Sequence, residues 1–227
     1  KADGTLGYMT EEQYEQLVNS DFVEQAGHRR IIGYASNTSS HSIEINYADS
    51  VQQELTFCVP THGAAPEKAN EIATTDLALK ALGVEPEIGA EVPLEFELRG
   101  KTYHYDMVLS GWWEASNDSV SVATVSEQFI KENPDVVQNT YAVDHEMSGV
   151  TFSDVVLKNK ANVQQQLKDF VYSIGGNPED MSAGNFILAS ENQMSQGLTS
   201  SESIVFAVVF ILMFVVCGSL LIYNIFD

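Results

Sequence analysis

The feature that most constrains this chain is an uncharged apolar run near its end, Ile204 to Phe226. As an α-helix the run would rise roughly 35 Å, at about 1.5 Å per residue, and the hydrocarbon core of a bilayer is about 30 Å thick. A helix buried in a water-soluble core rarely reaches this length without a charge, and a signal peptide lies at the other end of a chain. The run therefore predicts a transmembrane helix within 201–227 that tethers the preceding residues to a membrane.

Four residues in the second half of this run carry the predicted packing features of the helix. Gly218 and Ser219 form a small, notched face that allows another transmembrane helix to approach closely. Tyr223 lies near one end, where interfacial aromatic residues are common, and Asn224 is a mild polar residue beside it. We expect Gly218, Ser219, Tyr223 and Asn224 to determine how this helix packs.

The charge balance restricts the partners of the chain. There are 32 acidic residues against 11 basic ones, which gives a net charge of −21. Such a surface repels nucleic acid and anionic lipid head groups, so nucleic acid is not expected as a partner. Cationic peptides or metal ions would be attracted, although solubility alone is a sufficient reason for an acidic surface. Cys58 precedes the membrane run and Cys217 lies within it, so they are not expected to pair.

Capping residues and apolar periodicity predict three helices, over about 10–20, 75–82 and 162–174. Each begins at a side chain that can accept a hydrogen bond from the first turn: Thr10, then Thr74 or Thr75, and Asn162. Ser126 is expected to cap a shorter helix. Apolar alternation predicts strands at 31–35, 42–47, 55–59, 71–73, 92–98, 103–109, 119–125, 150–157 and 186–189. The clearest pair is the hairpin of 92–98 and 103–109, for which Gly100-Lys101 is the expected turn.

No motif for catalysis or nucleotide binding occurs in the chain: a phosphate-binding glycine loop, a G-x-S-x-G elbow and an H-E-x-x-H helix are all missing from the sequence. His145-Glu146 lacks the second histidine of a zinc peptidase. His104 and Asp106 share a strand face and could form a metal pair. A solvated face, opposite Tyr103 and Tyr105, is the simpler explanation.

Two further candidates also have simpler explanations. Glu95 and Glu97 fit a solvated strand edge better than a glycosidase pair. Cys58 on a predicted strand fits half-buried packing better than a nucleophile. We therefore predict no catalytic residue, no cofactor and no metal site, and a chain that is not an enzyme.

The end of the chain resembles a known family. The run GSLLIYNIF, from Gly218 to Phe226, is similar to the membrane helix that follows the extracytoplasmic domain in FtsX/MacB-type ABC transporter permeases, particularly those of Gram-positive bacteria. The segment from Glu71 to Gly111 looks like the inserted β-rich subdomain of that family: EIA, a helix ending in Leu-Gly, Gly89, a hairpin and VLSG. Val122 to Ser126, followed by a short helix, looks like the return to the core subdomain.

The resemblance implies a fold of the α+β class, a MacB-like extracytoplasmic domain. Residues 1–63 and 126–200 would form a mixed α/β core subdomain, and residues 64–125 a β-rich insertion. One transmembrane helix follows at 201–227, and the absence of proline from 193–226 allows it to continue into the domain. A continuous single domain is the alternative. Lys1 at the start and Asp227 directly after the apolar run lead us to expect a piece of a longer protein.

The resemblance also implies a function. The chain would be a non-catalytic permease subunit that couples cytoplasmic ATP hydrolysis to extracytoplasmic movement, for export of or resistance to peptides and antimicrobials. Its partners would be a cytoplasmic ATP-binding subunit, a second permease copy or paralogue, and membrane lipid. It would lie in a bacterial cell membrane with residues 1–200 on the extracytoplasmic face. The alternative is a single-span sensor or receptor ectodomain that transmits a ligand signal across the membrane.

Overall fold

The computed structural model describes residues 2–38, 42–115 and 121–192. The strands in these ranges are β1 (Gly4–Gly7), β2 (Val23–Ala26), β3 (Arg29–Tyr34), β4 (Ile43–Ala48), β5 (His62–Gly63), β6 (Glu71–Thr75), β7 (Glu91–Leu98), β8 (Lys101–Trp113), β9 (Ser121–Val125), β10 (Thr151–Leu157) and β11 (Leu188–Glu191). The helices are α1 (Glu11–Val18), α2 (Ser50–Thr56), α3 (Asp76–Leu82), α4 (Glu127–Glu132), α5 (Tyr141–Asp144) and α6 (Val163–Ser173).

The strands form one mixed sheet in the order β11-β1-β10-β3-β4-β9-β6-β8-β5, with β2 beside β10 and β7 beside β8. The β4–β9 and β6–β8 pairs are parallel, and the other pairs are antiparallel. Strand β7 returns to β3 through a bridge between Ala35 and Phe96, and the Ser36 amide donates to the Glu95 carbonyl at 2.8 Å. The described domain is therefore of the predicted α+β class.

Two apolar clusters fill the domain. The first lies among β3, β4, β6, β7, β8 and β9 and includes Ile43, Phe96 and Phe129 as fully buried residues. The second lies between β1, β2 and β10 on one side and α1 and α6 on the other, and includes Leu6, Leu17 and Leu167. Burial of each such side chain contributes about 1.5 to 3 kcal/mol. The subdomain boundaries predicted at 63/64 and 125/126 stay a prediction.

Four helix starts were predicted from capping residues, and three have the expected geometry, among them Ser126, whose hydroxyl accepts from the Phe129 amide at α4. Thr10 and Gln13 form a reciprocal capping box at α1, and the Thr75 hydroxyl accepts from the Ala78 amide at α3. Asn162 lies in the N-cap position of α6, but its φ of +52° places it in the left-handed region and its side chain makes no capping bond. Packing of the apolar stripe, rather than a cap, accounts for the start of α6.

The predicted strand at 55–59 is wrong, because the chain forms helix α2 up to Thr56. The Asp49 side chain accepts from the Gln52 amide and caps this helix, and Leu55 is buried while Phe57 and Val59 are exposed. The apolar alternation at 55, 57 and 59 was read as a strand period, whereas the local capping bond favours a helix.

Other differences are smaller. The hairpin turn is Arg99-Gly100 rather than Gly100-Lys101, and both residues have positive φ, as a two-residue hairpin turn requires. The last strand is Leu188–Glu191, two residues later than predicted. Strand β2 and helix α5 carry weak periodicity and were not predicted.

The predicted membrane helix lies outside the described residues, together with Gly218, Ser219, Tyr223, Asn224 and Cys217. Among the residues that the structure describes, none of the helices has the length and apolar character needed to cross a bilayer.

Candidate functional site

The two ends of the described domain lie side by side. Strands β1 and β11 are antiparallel, and Gly4 is opposite Glu191. Gly4 permits this close pairing, because a Cβ at this position would lie 2.7 Å from the Ser190 carbonyl oxygen and 2.5 Å from Leu167 Cδ1. We refer to β1 and β11, with their anchoring side chains Asp3 and Gln164, as the terminal strand pair.

Asp3 anchors the incoming chain. Its carboxylate is buried, accepts from the Leu157 amide at 2.7 Å and bonds the Lys160 ammonium at 2.6 Å. The Asp3 amide donates to the Val155 carbonyl at 2.8 Å. A carboxylate that accepts a backbone N–H and an ammonium is among the stronger protein hydrogen-bonding arrangements. The start of the domain is thus fixed to β10 and to the loop before α6.

Gln164 anchors the outgoing chain. Its side-chain amide donates to the Ala189 carbonyl at 2.9 Å and accepts from the Glu191 amide at 2.8 Å. Gln164 projects from α6, whose Val163, Leu167 and Val171 are fully buried beneath β1 and β10. The last strand of the domain is therefore fixed to the same helix that covers the first strand.

The opposite end of β1 leads to Tyr8, which contacts a loop from the other half of the chain. The Tyr8 ring lies 4.9 Å from Tyr141 and 5.6 Å from Phe152 and Phe186, centroid to centroid. Burial and a hydrogen bond with Tyr141 raise the pKa of Tyr8 to about 12, so the phenol stays neutral. We refer to Tyr8, Arg99 and residues 135–149 as the distal clasp.

Arg99 fixes the distal clasp from the β7–β8 turn. Its guanidinium donates to the Gln138 carbonyl at 2.7 Å, to the Asp135 carbonyl at 3.3 Å and to the Thr140 hydroxyl at 3.2 Å. Nε of Arg99 lies 3.5 Å from the Asp144 carboxylate. The Glu146 amide, the Thr140 hydroxyl and Arg99 together lower the pKa of Asp144.

Backbone strain is concentrated at this clasp. Five non-glycine residues in the described part of the chain have positive φ, and three of them belong to the clasp: Tyr8 (+68°), Arg99 (+52°) and His145 (+60°). Such conformations cost about 1 to 3 kcal/mol each and persist only where surrounding contacts enforce them. Strain of this kind often accompanies function, so the clasp is a candidate functional surface.

One cavity adjoins the distal clasp and another adjoins α1. The first, of about 310 Å³, is enclosed by the end of β3, the tip of the β7–β8 hairpin and His145–Ser148 of the clasp. The other, of about 360 Å³, is a groove between α1 and α4 whose floor is formed by His28, Arg30 and Tyr47.

The groove contains a buried imidazole. His28 lies with its ring 4.5 Å from Tyr14, and its Nε2 is 3.5 Å from Glu11, which also pairs with Arg30. Its Nδ1 has no hydrogen-bond partner among the described residues. Burial lowers the pKa of His28, with a smaller opposing effect of Asp49.

The side chains considered as chemical sites from the sequence do not converge. Nδ1 of His104 lies 3.0 Å from Glu95 across the exposed β7–β8 hairpin, away from Cys58 in the segment after α2. Burial raises the pKa of the Cys58 thiol, which disfavours the reactive thiolate. In the described ranges there is no group of three histidine, cysteine or acidic residues that could hold a metal ion.

Sequence reasoning missed the residues that fix the two ends of the domain. Asp3 and Gln164 show no motif, because each acts through a backbone partner that is distant in sequence. Arg99 has a weak signal, since it precedes Gly100 in a hairpin turn, but its partners around residues 135–144 were not predictable.

No protein-family model matches the chain, and no curated protein sequence matches it.

Solved structures do resemble it. The extracellular domain of the ABC-type transporter YknZ from Gram-positive bacteria aligns with 82% of this chain and 98% of its own, at 14% identity and a TM-score of 0.49. The periplasmic region of MacB from Actinobacillus actinomycetemcomitans aligns with 88% of this chain and 94% of its own, at 8% identity and a TM-score of 0.49. These neighbours are extracytoplasmic domains of ABC-transporter permeases, the kind of protein that the sequence resemblance predicted.

Proposed function

We propose that residues 1–200 form the extracytoplasmic domain of a bacterial ABC-transporter permease and lie outside the cell membrane. The permease has no ATPase of its own. It takes its energy from a cytoplasmic ATP-binding subunit on another chain and works beside a second permease copy or paralogue in membrane lipid.

The observation that carries this proposal is the pairing of Gly4 with Glu191. A domain placed between two membrane helices needs its two ends on the same side, close together. The apolar run 204–226 follows the second end closely and supplies the predicted helix. The sequence resemblance at 71–111 and 218–226 supports the same arrangement.

The anchors suggest how movement passes into the domain. Asp3 joins the first end to β10, and Gln164 joins the last strand to α6. Since α6 also packs on β1, both ends are fixed to one buried unit. We infer that a displacement of the membrane helices moves this unit as a whole, and that the displacement reaches the distal clasp through β1 and β10.

The finer parts of the proposal come from the resemblance. We propose export of, or resistance to, peptides and antimicrobials, with 1–63 and 126–200 as the core subdomain and 64–125 as the insertion.

In the membrane helix, Gly218 and Ser219 would face a neighbouring helix, with Tyr223 and Asn224 near the interface. Replacing Gly218 with Leu is expected to weaken association with the second permease copy, and Leu221→Ala is the control.

The first experiment tests the location of the domain. In a Cys58→Ser and Cys217→Ser background, Val143→Cys places a thiol at a residue that is 86% exposed on the clasp. A membrane-impermeant maleimide added to intact cells should label this variant, and the buried Val155→Cys should stay unlabelled. Labelling of Val143→Cys only after cell lysis would contradict the proposal.

The second experiment tests the coupling. The full permease is expressed with its ATP-binding subunit, and ATP hydrolysis is measured with wild-type chain and with Gly4→Val, which separates the terminal strand pair. We expect association in both cases. The hydrolysis rate with the wild-type chain should differ from that of the ATP-binding subunit alone, and the variant should reduce this difference. If the chain is found with a kinase or dimerisation module instead of an ATPase, the sensor alternative replaces this proposal.

A further inference from the structure

A second surface, unrelated to the terminal strand pair, has the features of a docking site. The segment after α2 exposes Phe57 and Val59, whose side chains are 64% and 45% accessible. Ile88, which is 49% accessible, packs against Gly63 in the continuation of this segment. We refer to Phe57, Val59 and Ile88 as the apolar ridge.

Phe57 is unfavourable in two ways that the domain does not offset. It has a φ of +59° at the C-terminal cap of α2, where glycine or asparagine avoids the strain. Its ring is also left mostly in water rather than packed in either apolar cluster. A large side chain that is both strained and exposed indicates a role in binding rather than in folding.

The ridge is held rigidly. The Cys58 amide donates to the Gln53 carbonyl at 2.8 Å and closes the helix end. Further along, the Thr61 and Ala64 amides donate to the Trp112 and Ser110 carbonyls of β8, at 3.1 and 2.9 Å. A rigid apolar surface loses little conformational entropy when a partner binds, which favours recognition.

The surroundings of the ridge are acidic. Glu54 lies one turn before Phe57 on α2, and Glu85 and Glu87 precede Ile88; all three are exposed. In the sequence from 50 to 98 there are nine acidic residues and two basic ones. Lys68, one of the two, pairs with Glu71 at 2.8 Å. A second copy of this acidic chain would be repelled at such a rim.

We propose that the apolar ridge is the docking site for a partner protein whose contact segment is an amphipathic helix with an apolar centre and a basic rim. Phe57 and Val59 enter the apolar face of that helix, and Glu54, Glu85 and Glu87 pair with its basic residues. The charge complementarity selects the partner, and the apolar contact supplies most of the affinity. This inference does not depend on the permease assignment.

The test uses the full chain in nonionic detergent and a synthetic leucine–lysine amphipathic helix that carries photo-leucine. Crosslinked products are mapped by mass spectrometry, and a leucine–glutamate helix of the same length is the charge control. The main variant is Phe57→Gly, in which glycine suits the positive φ, and Phe57→Asn is a second variant that also tolerates it. Met181→Ser removes an equally exposed apolar side chain, 64% accessible, outside the ridge and the distal clasp, and is the matched control.

We expect crosslinks within 54–60 for the lysine helix, about a tenfold or greater loss of yield in both Phe57 variants, and no loss in Met181→Ser. Glu85→Gln with Glu87→Gln should weaken crosslinking and reduce its salt dependence. Equal crosslinking by the glutamate helix, or by Phe57→Gly, would overturn the proposal. The proposal would also be overturned if Phe57→Gly disrupts a dimer of the chain, or its adsorption to phosphatidylcholine vesicles, but leaves the crosslinking yield of the lysine helix unchanged.

Discussion

The two ends of β1 are held by different kinds of contact. At the terminal strand pair, β1 lies over the fully buried Val163, Leu167 and Val171, and Asp3 and Gln164 add buried or half-buried hydrogen bonds to backbone groups. At the other end of β1, Tyr8 packs against partly exposed aromatic rings of the distal clasp, and Arg99, whose side chain is 30% exposed, fixes residues 135–144 of that clasp. Disruption of a buried apolar contact lowers the free energy of unfolding more than disruption of an exposed polar contact. We therefore expect the terminal strand pair to move together with α6 and β10 as one unit, and the distal clasp to rearrange first.

Leu167→Ala should have the largest effect, because it removes a fully buried side chain directly beneath Gly4. We expect a loss of about 3 kcal/mol in the free energy of unfolding from the cavity that remains. Urea unfolding of the full chain in detergent, followed by tryptophan fluorescence, measures it. Tyr172→Ala, on the exposed side of α6, is the control and should change stability little. Equal effects of the two would mean that α6 does not anchor β1.

Asp3→Ala should cost about 2 kcal/mol, because it leaves the buried Leu157 amide without its acceptor. Lys160→Ala removes only the half-exposed ammonium from the same carboxylate, and about 0.5 kcal/mol is expected. The same unfolding measurement distinguishes the two variants. If Lys160→Ala lowered the free energy of unfolding as much as Asp3→Ala, the ion pair rather than the backbone hydrogen bond would hold the incoming chain.

Arg99→Ala should affect the clasp alone. It removes the donors to Asp135, Gln138 and Thr140 while leaving both apolar clusters intact. We expect amide hydrogen exchange in 138–146 to become about tenfold faster, and exchange in β1 and β10 to stay unchanged. Lys101→Ala, two residues away in the same hairpin, is the control. Faster exchange throughout the domain would show that the two ends are not independent.

The difference between local and long-range contacts explains how much of the structure was predictable from the sequence. The amphipathic helices α1, α3 and α6 and the β7–β8 hairpin follow from local periodicity and turn residues, so their positions were predicted to within a few residues. The strand at 55–59 was predicted wrongly, because Leu55, Phe57 and Val59 fit a strand period while the Asp49 cap favours a helix.

The candidate site was less predictable than the fold. Asp3 bonds an amide 154 positions away and Arg99 bonds groups 36 to 41 positions away, so neither partner can be identified from local sequence. Periodicity also gives no sign of burial on both faces of β4, where Glu44 and Asn46 alternate with isoleucines. Both are buried, because Glu44 bonds Asn46 at 2.7 Å and pairs with Arg29 at 3.1 Å. Such pairing depends on neighbouring strands, which periodicity does not reveal.

The smallest expected effect concerns His28, which faces α1. The groups around it are Glu11 and Tyr14 of α1, Arg30 of β3 and Asp49 before α2. Burial lowers the pKa of His28 in the folded protein below its unfolded value of 6.5, so the unfolded chain binds the proton more tightly. Stability is thus retained above pH 6.5 and declines as the pH falls below it.

This pH dependence is measured by urea unfolding at about pH 7.5 and about pH 5. Wild type should lose more stability on acidification than His28→Gln, which has no imidazole to protonate, and His104→Gln at the exposed hairpin should behave like wild type. If His28→Gln keeps the whole acid sensitivity, protonation of His28 is not its cause. Lower protection factors for amide exchange in α1 at low pH, without a change in β10, would place the response on α1.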